Sequence, residues 1–161
     1  MKTNYILLLI IVLGVILITL LYVRLIHIPV KSFYQPIIKE KTDFTQDEIE
    51  FILDEYDIKL SDNEYIHSAR FTSSRETGIT IWIYNISNNY NFIKTNLSDY
   101  NLSDYLYSAY NIEGEEFEAY RYYKTDELFS DWNLYEDNGY WVAVRFEHQV
   151  RNEMQEWCMK W

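Results

Sequence analysis

The chain has 161 residues, of which 48% are hydrophobic and 18% aromatic, and its formal net charge is −11. All 25 acidic residues follow residue 39, whereas 11 of the 14 basic residues follow residue 31, so residues 32–161 carry a charge near −14. This acidity disfavours nucleic acid and anionic lipid as ligands, because both bind through Lys and Arg. It suits a basic protein partner, cations or solubility alone, and about 130 residues are enough for one domain with a single core.

The first pattern in the chain is an uncharged apolar run over residues 5–23. As a helix it would be about 30 Å long, which matches the hydrocarbon core of a bilayer. The run is also longer than the apolar core of a signal peptide, and it lacks the polar face of a globular core helix. The run predicts a retained transmembrane helix, which makes residues 1–31 a single-pass anchor with a juxtamembrane segment and residues 32–161 an acidic domain. The larger cluster of Lys and Arg after the run argues for a cytoplasmic domain, whereas the short N-terminal flank with one Lys favours the extracytoplasmic side, which is the orientation we expect. The bias towards Ile, Asn, Lys and Tyr is typical of an AT-rich bacterial genome.

The first helix of the acidic domain is predicted to begin after Phe44. Thr45 is suited to cap its first turn, Glu48 to return the hydrogen bond, and Phe44 to pack against Ile49. The helix is predicted to end near Asp57. Its apolar residues recur at helical spacing, as Ile49, Ile52, Leu53 and Tyr56.

Alternating side chains predict the strands. Residues 64–72 and 78–86 are expected to form a hairpin, because a short polar segment separates them. Residues 116–123 and 140–147 are further predicted strands. The dipeptide Asn138-Gly139 favours the positive φ angles of a type I′ turn, which predicts a hairpin leading into the last strand.

Two more helices complete the predicted order. One is expected to be capped by Ser87, and the other, at the C-terminal end, carries Val150, Met154, Trp157, Cys158 and Trp161 at helical spacing. The elements together predict an α+β fold class, with an N-terminal transmembrane helix followed by one small domain. That domain is expected to have an antiparallel sheet of about four strands and flanking helices.

The pentapeptide NLSDY occurs twice in tandem, at residues 96–100 and 101–105. Its Ser and Asp residues are turn and cap formers, which predicts that one helix ends here and another begins at Ser103. The alternative is a tyrosine-rich loop that contacts a partner, because tyrosine offers a large contact area at a low entropic cost. The side chains of this candidate partner surface are Tyr100, Tyr105, Tyr107 and Tyr110.

Residues that could carry chemistry lack the spacing of known sites. Cys158 is the only cysteine, so no internal disulfide can form, and its place in the predicted C-terminal helix favours a packed thiol. His67 and His148 lie in or beside predicted strands without partners at metal-ligand spacing. Residues 131–137 lack the glycine that a calcium loop needs at its sixth position. No catalytic residue, cofactor or metal ion is therefore predicted.

The acidic domain, the anchor and the many Tyr and Trp residues favour a non-enzymatic protein-binding module at the cell envelope. A toxin-neutralising immunity protein would be one version, by analogy alone. The alternative is a carbohydrate-binding module, and an enzyme with an unrecognised site is a further one. The expected partners are the membrane and a protein, not nucleic acid. The candidate aromatic platform for sugar rings consists of Trp82, Trp132, Tyr135 and Trp141.

Overall fold

The computed structural model describes residues 12–22, 36–74, 76–125 and 130–161, and the chain divides into two units, Met1–Pro36 and Ile37–Trp161. In the first unit, residues 12–22 are helical and are called α1. The second unit contains β1 (Ile37–Lys41), α2 (Gln46–Glu55), β2 (Tyr65–Ser73), β3 (Thr77–Ile86), α3 (Asn89–Asn96), β4 (Asn101–Tyr110), β5 (Glu116–Tyr123), β6 (Ser130–Asp137), β7 (Tyr140–His148) and α4 (Asn152–Cys158).

The prediction of a transmembrane helix is contradicted. Among the residues that the structure describes, no helix has both the length and the apolar character needed to cross a membrane. Residues 5–11 and 23 of the predicted span lie outside the described residues. The single-pass and signal-anchor assignments depend on that helix and are contradicted with it.

The second unit is built on one antiparallel sheet of seven strands, in the order β1-β2-β3-β7-β6-β5-β4. The α+β character and the antiparallel pairing agree with the sequence prediction, but the predicted number of about four strands is wrong. β1 has only five residues, too few for an alternating pattern to stand out. The hairpin predicted at Asn138-Gly139 implies a strand before the turn, which is β6, but its bounds were not predicted; β4 was missed because its turn formers are typical of a helix start.

The three helices of this unit cover one face of the sheet. Ile52 of α2, Phe92 of α3 and Met154 of α4 are buried against it. Burying one such side chain contributes about 1.5–3 kcal/mol, so this layer is the main source of stability. The sheet residues on this face include Phe71, Ile79, Ile81, Ile83, Trp132, Leu134 and Ala143.

The opposite face is concave and encloses a smaller core. Trp82 and Tyr135 are buried there, and the ring of Phe117 stacks on Tyr135 with 4.7 Å between centroids. The Nε1–H of Trp82 donates to the carbonyl of Tyr110 at 3.2 Å, although three strands separate β3 from β4 in the sheet. The sheet therefore curls until the C-terminal end of β4 reaches β3.

Several local predictions are confirmed. The Thr45 hydroxyl accepts from the Glu48 amide at 3.4 Å, and Glu48 accepts from the Thr45 amide at 2.8 Å, which completes the capping box. The turn at Asn138-Gly139 has φ angles of 50° and 83°, as a type I′ turn requires. The predicted cap at Ser87 is displaced by one residue, because the Asn88 side chain accepts from the amide of Asn91.

The prediction that a helix ends in the NLSDY repeat is confirmed, but the helix start at Ser103 and the alternative of a loop are both wrong. The first copy ends α3 and turns, whereas the second copy begins strand β4, so no helix starts at Ser103 and the segment is not a loop. Asn96 anchors the first copy, since its side chain accepts from the Lys59 amide at 2.7 Å and donates to the Lys59 carbonyl at 3.0 Å. In the second copy the equivalent Asn101 donates to the Thr125 hydroxyl at 3.3 Å, and this copy pairs with β5.

Candidate functional site

Strand β4 lies at one edge of the sheet, and among the described residues it pairs with no strand except β5. Its side chains are unusually exposed for a strand rich in Leu and Tyr, and Tyr105 is 76% exposed. Single exposed apolar residues are common, but several on one edge strand indicate a binding surface. They occupy both faces of the strand, since Leu106 pairs with Tyr120 on the helix-covered side and Tyr107 pairs with Ala119 of the concave core. We call this group the β4 surface. It consists of Leu102, Asp104, Tyr105, Leu106, Tyr107 and Tyr110 of β4, with Tyr120 of β5.

Three of the four tyrosines in the predicted partner surface belong to the β4 surface. The fourth, Tyr100, lies apart from them, because its ring packs against the core beneath the helices. Its hydroxyl accepts a hydrogen bond from the guanidinium of Arg145. Sequence reasoning missed Leu102 and Leu106, because the irregular register between them interrupts the period of two that indicates a strand.

A bulge in β4 opens a cavity on this surface. Leu102 pairs with Tyr122 and Leu106 with Tyr120, so four steps along β4 correspond to two steps along β5, and two residues are extra. The amide of Tyr105 donates to the Ser103 hydroxyl at 3.3 Å within the bulge. The resulting cavity has a volume of about 480 Å³ and is lined by Leu102, Ser103, Asp104, Tyr105, Leu106 and Tyr120.

The chain around the β4 surface has a strongly negative charge. Residues 99–118 contain six acidic residues and no Lys, Arg or His. Two of these acids, Asp99 and Asp104, flank or belong to β4, and the other four lie in the β4–β5 turn and at the start of β5. Arg121 is the next basic residue along the chain; its guanidinium lies over the Tyr107 ring of the β4 surface at 4.8 Å and pairs with Asp131 at 2.6 Å, so the six acidic residues remain in excess. The field at this edge therefore attracts positively charged partners.

A second polar cluster lies on the helix-covered face, around Arg145. This residue is only 6% exposed, its guanidinium contacts Glu147 at 2.7 Å, and its charge lies over the rings of Tyr56, Tyr100 and Trp132 at 5.5–5.9 Å. Burial raises the pKa of Tyr56 well above its usual value. A cavity of about 450 Å³ adjoins the cluster.

The walls of that cavity carry charges of both signs, which largely neutralise each other. Glu147 is paired with Arg145, and Glu55 is paired with Arg151 at 3.3 Å. Because these charges already have partners within the protein, the cavity does not select for an anion or a cation. The cluster instead joins β7 to the start of β4 through the Arg145–Tyr100 hydrogen bond.

The aromatic platform proposed for sugar binding is mostly inaccessible. Trp82, Trp132 and Tyr135 are at most 3% exposed, and Trp141 is half-buried and packs against the main core. These residues also do not form one surface, because Trp132 belongs to the helix-covered core, whereas Trp82 and Tyr135 belong to the concave one. Their rings therefore offer no common face on which a sugar could stack.

Of the residues considered for chemistry, Cys158 is buried and His67 half-buried, whereas His148 is exposed. Cys158 is fully buried, and this burial raises its pKa to about 12, so its thiolate is scarce near neutral pH. His67 contacts Ser68 at 3.2 Å, and its ring lies 4.6 Å from that of Tyr84. Within the described ranges, no group of three or more His, Cys, Asp or Glu residues is arranged to hold a metal ion.

Comparison with known proteins gives no match: no family model, curated protein or solved structure corresponds to this chain.

Proposed function

We propose that the Ile37–Trp161 unit is a non-enzymatic protein-binding module whose β4 surface binds a positively charged protein. The observation that carries the proposal is that acidity and exposed Leu and Tyr side chains coincide on one edge strand. Aromatic side chains supply most of the energy at protein interfaces, and complementary charge accelerates association and selects the partner. Carboxylates close to exposed apolar and aromatic side chains therefore fit a basic partner.

The proposal is tested by selecting a random peptide library, displayed on phage, against the full chain. Selected peptides are expected to be rich in Lys and Arg and to lose affinity about tenfold for a Tyr105→Ser variant, because a central interface aromatic typically contributes more than 1 kcal/mol. Tyr90→Ser is the matched control, since Tyr90 is exposed to a similar degree on α3. It is expected to leave affinity unchanged.

Charge is tested separately by measuring the salt dependence of peptide binding. Affinity is expected to fall as the ionic strength is raised from about 0.01 M to about 0.15 M, because the Debye length shrinks from about 30 Å to about 8 Å over this range. Peptides that are not enriched in basic residues, or that bind the Tyr105→Ser variant as well as the parent chain, would contradict the proposal. Circular dichroism and thermal melting of each variant establish that the fold is intact.

A further inference from the structure

The backbone of β4 determines the shape of the partner segment. β4 is an edge strand, so alternate residues direct their N–H and C=O groups away from β5. Two intramolecular contacts bound the accessible part of this edge. At one end the Ser103 hydroxyl accepts from the Tyr105 amide, and at the other the Tyr110 carbonyl accepts from Trp82. Between these contacts, Leu106–Ser108 is exposed, runs in regular register with β5 and can accept another strand, whereas Ala109 is buried in the concave core.

The cavity at the bulge determines which side chain the partner segment presents. In a strand added alongside β4, side chains alternate between the two faces of the sheet. Those on the face shared by Leu102, Leu106 and Tyr120 would lie over the cavity. Its walls are mainly Leu and Tyr, and Asp104 supplies a carboxylate. Lys and Arg match both features, because they have an apolar stem and a cationic end.

We propose that β4 binds an extended segment of the partner by strand addition, with a Lys or Arg of that segment seated in the bulge cavity beside Asp104. This inference rests on the proposed function, because it specifies how the same surface recognises its basic partner. Main-chain hydrogen bonds to Leu106–Ser108 supply affinity, and the cavity supplies specificity. The acidic residues at 99–118 attract the segment before it docks.

Backbone N-methylation of a selected peptide tests the strand addition. Each amide that donates to β4 loses its hydrogen bond when methylated, which is expected to lower affinity roughly tenfold, and methylation of the intervening amides is expected to change it by less than about twofold. An effect that alternates with a period of two residues supports strand addition. A uniform effect, or an effect that follows another period, overturns it.

A double-mutant cycle tests the cavity. Replacing the critical Lys of the peptide by norleucine keeps the apolar stem and removes the charge, and it is expected to weaken binding about threefold to the parent chain. The same replacement is expected to have no effect on binding to an Asp104→Asn variant. Asp99→Asn is the control, because it removes the same charge outside the cavity and should preserve the threefold effect.

The two levels of the proposal fail differently. Peptides that bind through β4 without an alternating methylation pattern, or without coupling to Asp104, overturn this inference and leave the proposed function standing. Peptides whose affinity does not depend on Tyr105 contradict the proposed function itself. Nuclear magnetic resonance shifts of the Leu106–Ser108 amides provide an independent check, since strand addition must perturb them on peptide binding.

Discussion

Tyr100 and Tyr105 occupy the same position in the two NLSDY copies, yet we expect replacement by Phe to destabilise the fold at Tyr100 and to have almost no effect at Tyr105. In Tyr100→Phe the ring stays in place beside Arg145, and only the hydroxyl that accepts from the guanidinium is removed. Because Arg145 is nearly inaccessible to solvent, the donor that loses this acceptor is left without full compensation. Tyr105→Phe removes a hydroxyl from a side chain that is mostly in water.

The magnitude follows from the surroundings of Arg145. A hydrogen bond to a charged group contributes about 1.5–3 kcal/mol to stability. The cation–π contact with the ring is retained in the variant, so it cancels from the difference. The cavity beside Arg145 admits water, which recovers part of the loss and shifts the expected value to the lower end, about 1.5 kcal/mol. For a unit of this size that corresponds to roughly 4–8 °C in Tm.

The assay is urea denaturation of the parent chain and both variants at neutral pH. Tyr100→Phe is expected to lower the midpoint without changing the m-value and to leave peptide binding intact. Tyr105→Phe is expected to change stability by less than about 0.5 kcal/mol, as is usual for surface positions. Equal stabilities of Tyr100→Phe and the parent chain would refute the assignment of Tyr100 to a stabilising contact. A reduction in peptide affinity by Tyr100→Phe alone would return this residue to the partner surface.

Three further predictions concern local chemistry. Hydrogen bonding from the Thr45 backbone lowers the pKa of Glu48 below its usual 4.5, so the ionised Glu48 stabilises the fold above pH 4.5 and loses this effect as the pH falls through its lowered pKa. The difference in unfolding free energy between the parent chain and Glu48→Gln should therefore shrink with acidification, as measured by urea denaturation from neutral to acidic pH. Cys158 should resist a thiol reagent in the folded chain and react fully in urea, and rapid labelling without denaturant would contradict its burial. Gly139→Ala should lower stability by roughly 1–2 kcal/mol through backbone strain alone, because φ is +83° and no neighbouring atom would clash with the added Cβ. Gly139→Asn should lower stability less, and equal thermal stability of all three chains would contradict strain at this position.

The features predicted correctly are those in which every decisive residue is close in sequence. The capping box of α2 involves residues three positions apart, and the turn at Asn138-Gly139 depends on two adjacent φ angles. Helix α4 is recognisable because its buried residues recur along one face. In each case the interaction that stabilises the element lies within the window from which it was predicted.

The predictions that failed depended on partners far away in the chain. The number of strands was underestimated because β1 and β4 are stabilised mainly by pairing with β2 and β5, not by their own pattern. The candidate sugar platform relied on large aromatic residues being exposed, but a curled sheet buries Trp82 against the end of β4. Aromatic content reveals how much contact area a chain possesses, and only packing determines which rings remain accessible.

The sequence by itself determined the acidic character of the chain, the α+β class, the α2 cap and the final hairpin. Only the tertiary structure decided the conformation and the burial of the two NLSDY copies. Leu97 is buried and Leu102 is exposed, although both are the second residue of identical pentapeptides. The difference arises because Asn96 is hydrogen-bonded to Lys59 and Tyr100 to Arg145, whereas the second copy lies at the sheet edge and pairs with β5. Identical local sequences have identical propensities, so contacts made across the fold must select between them.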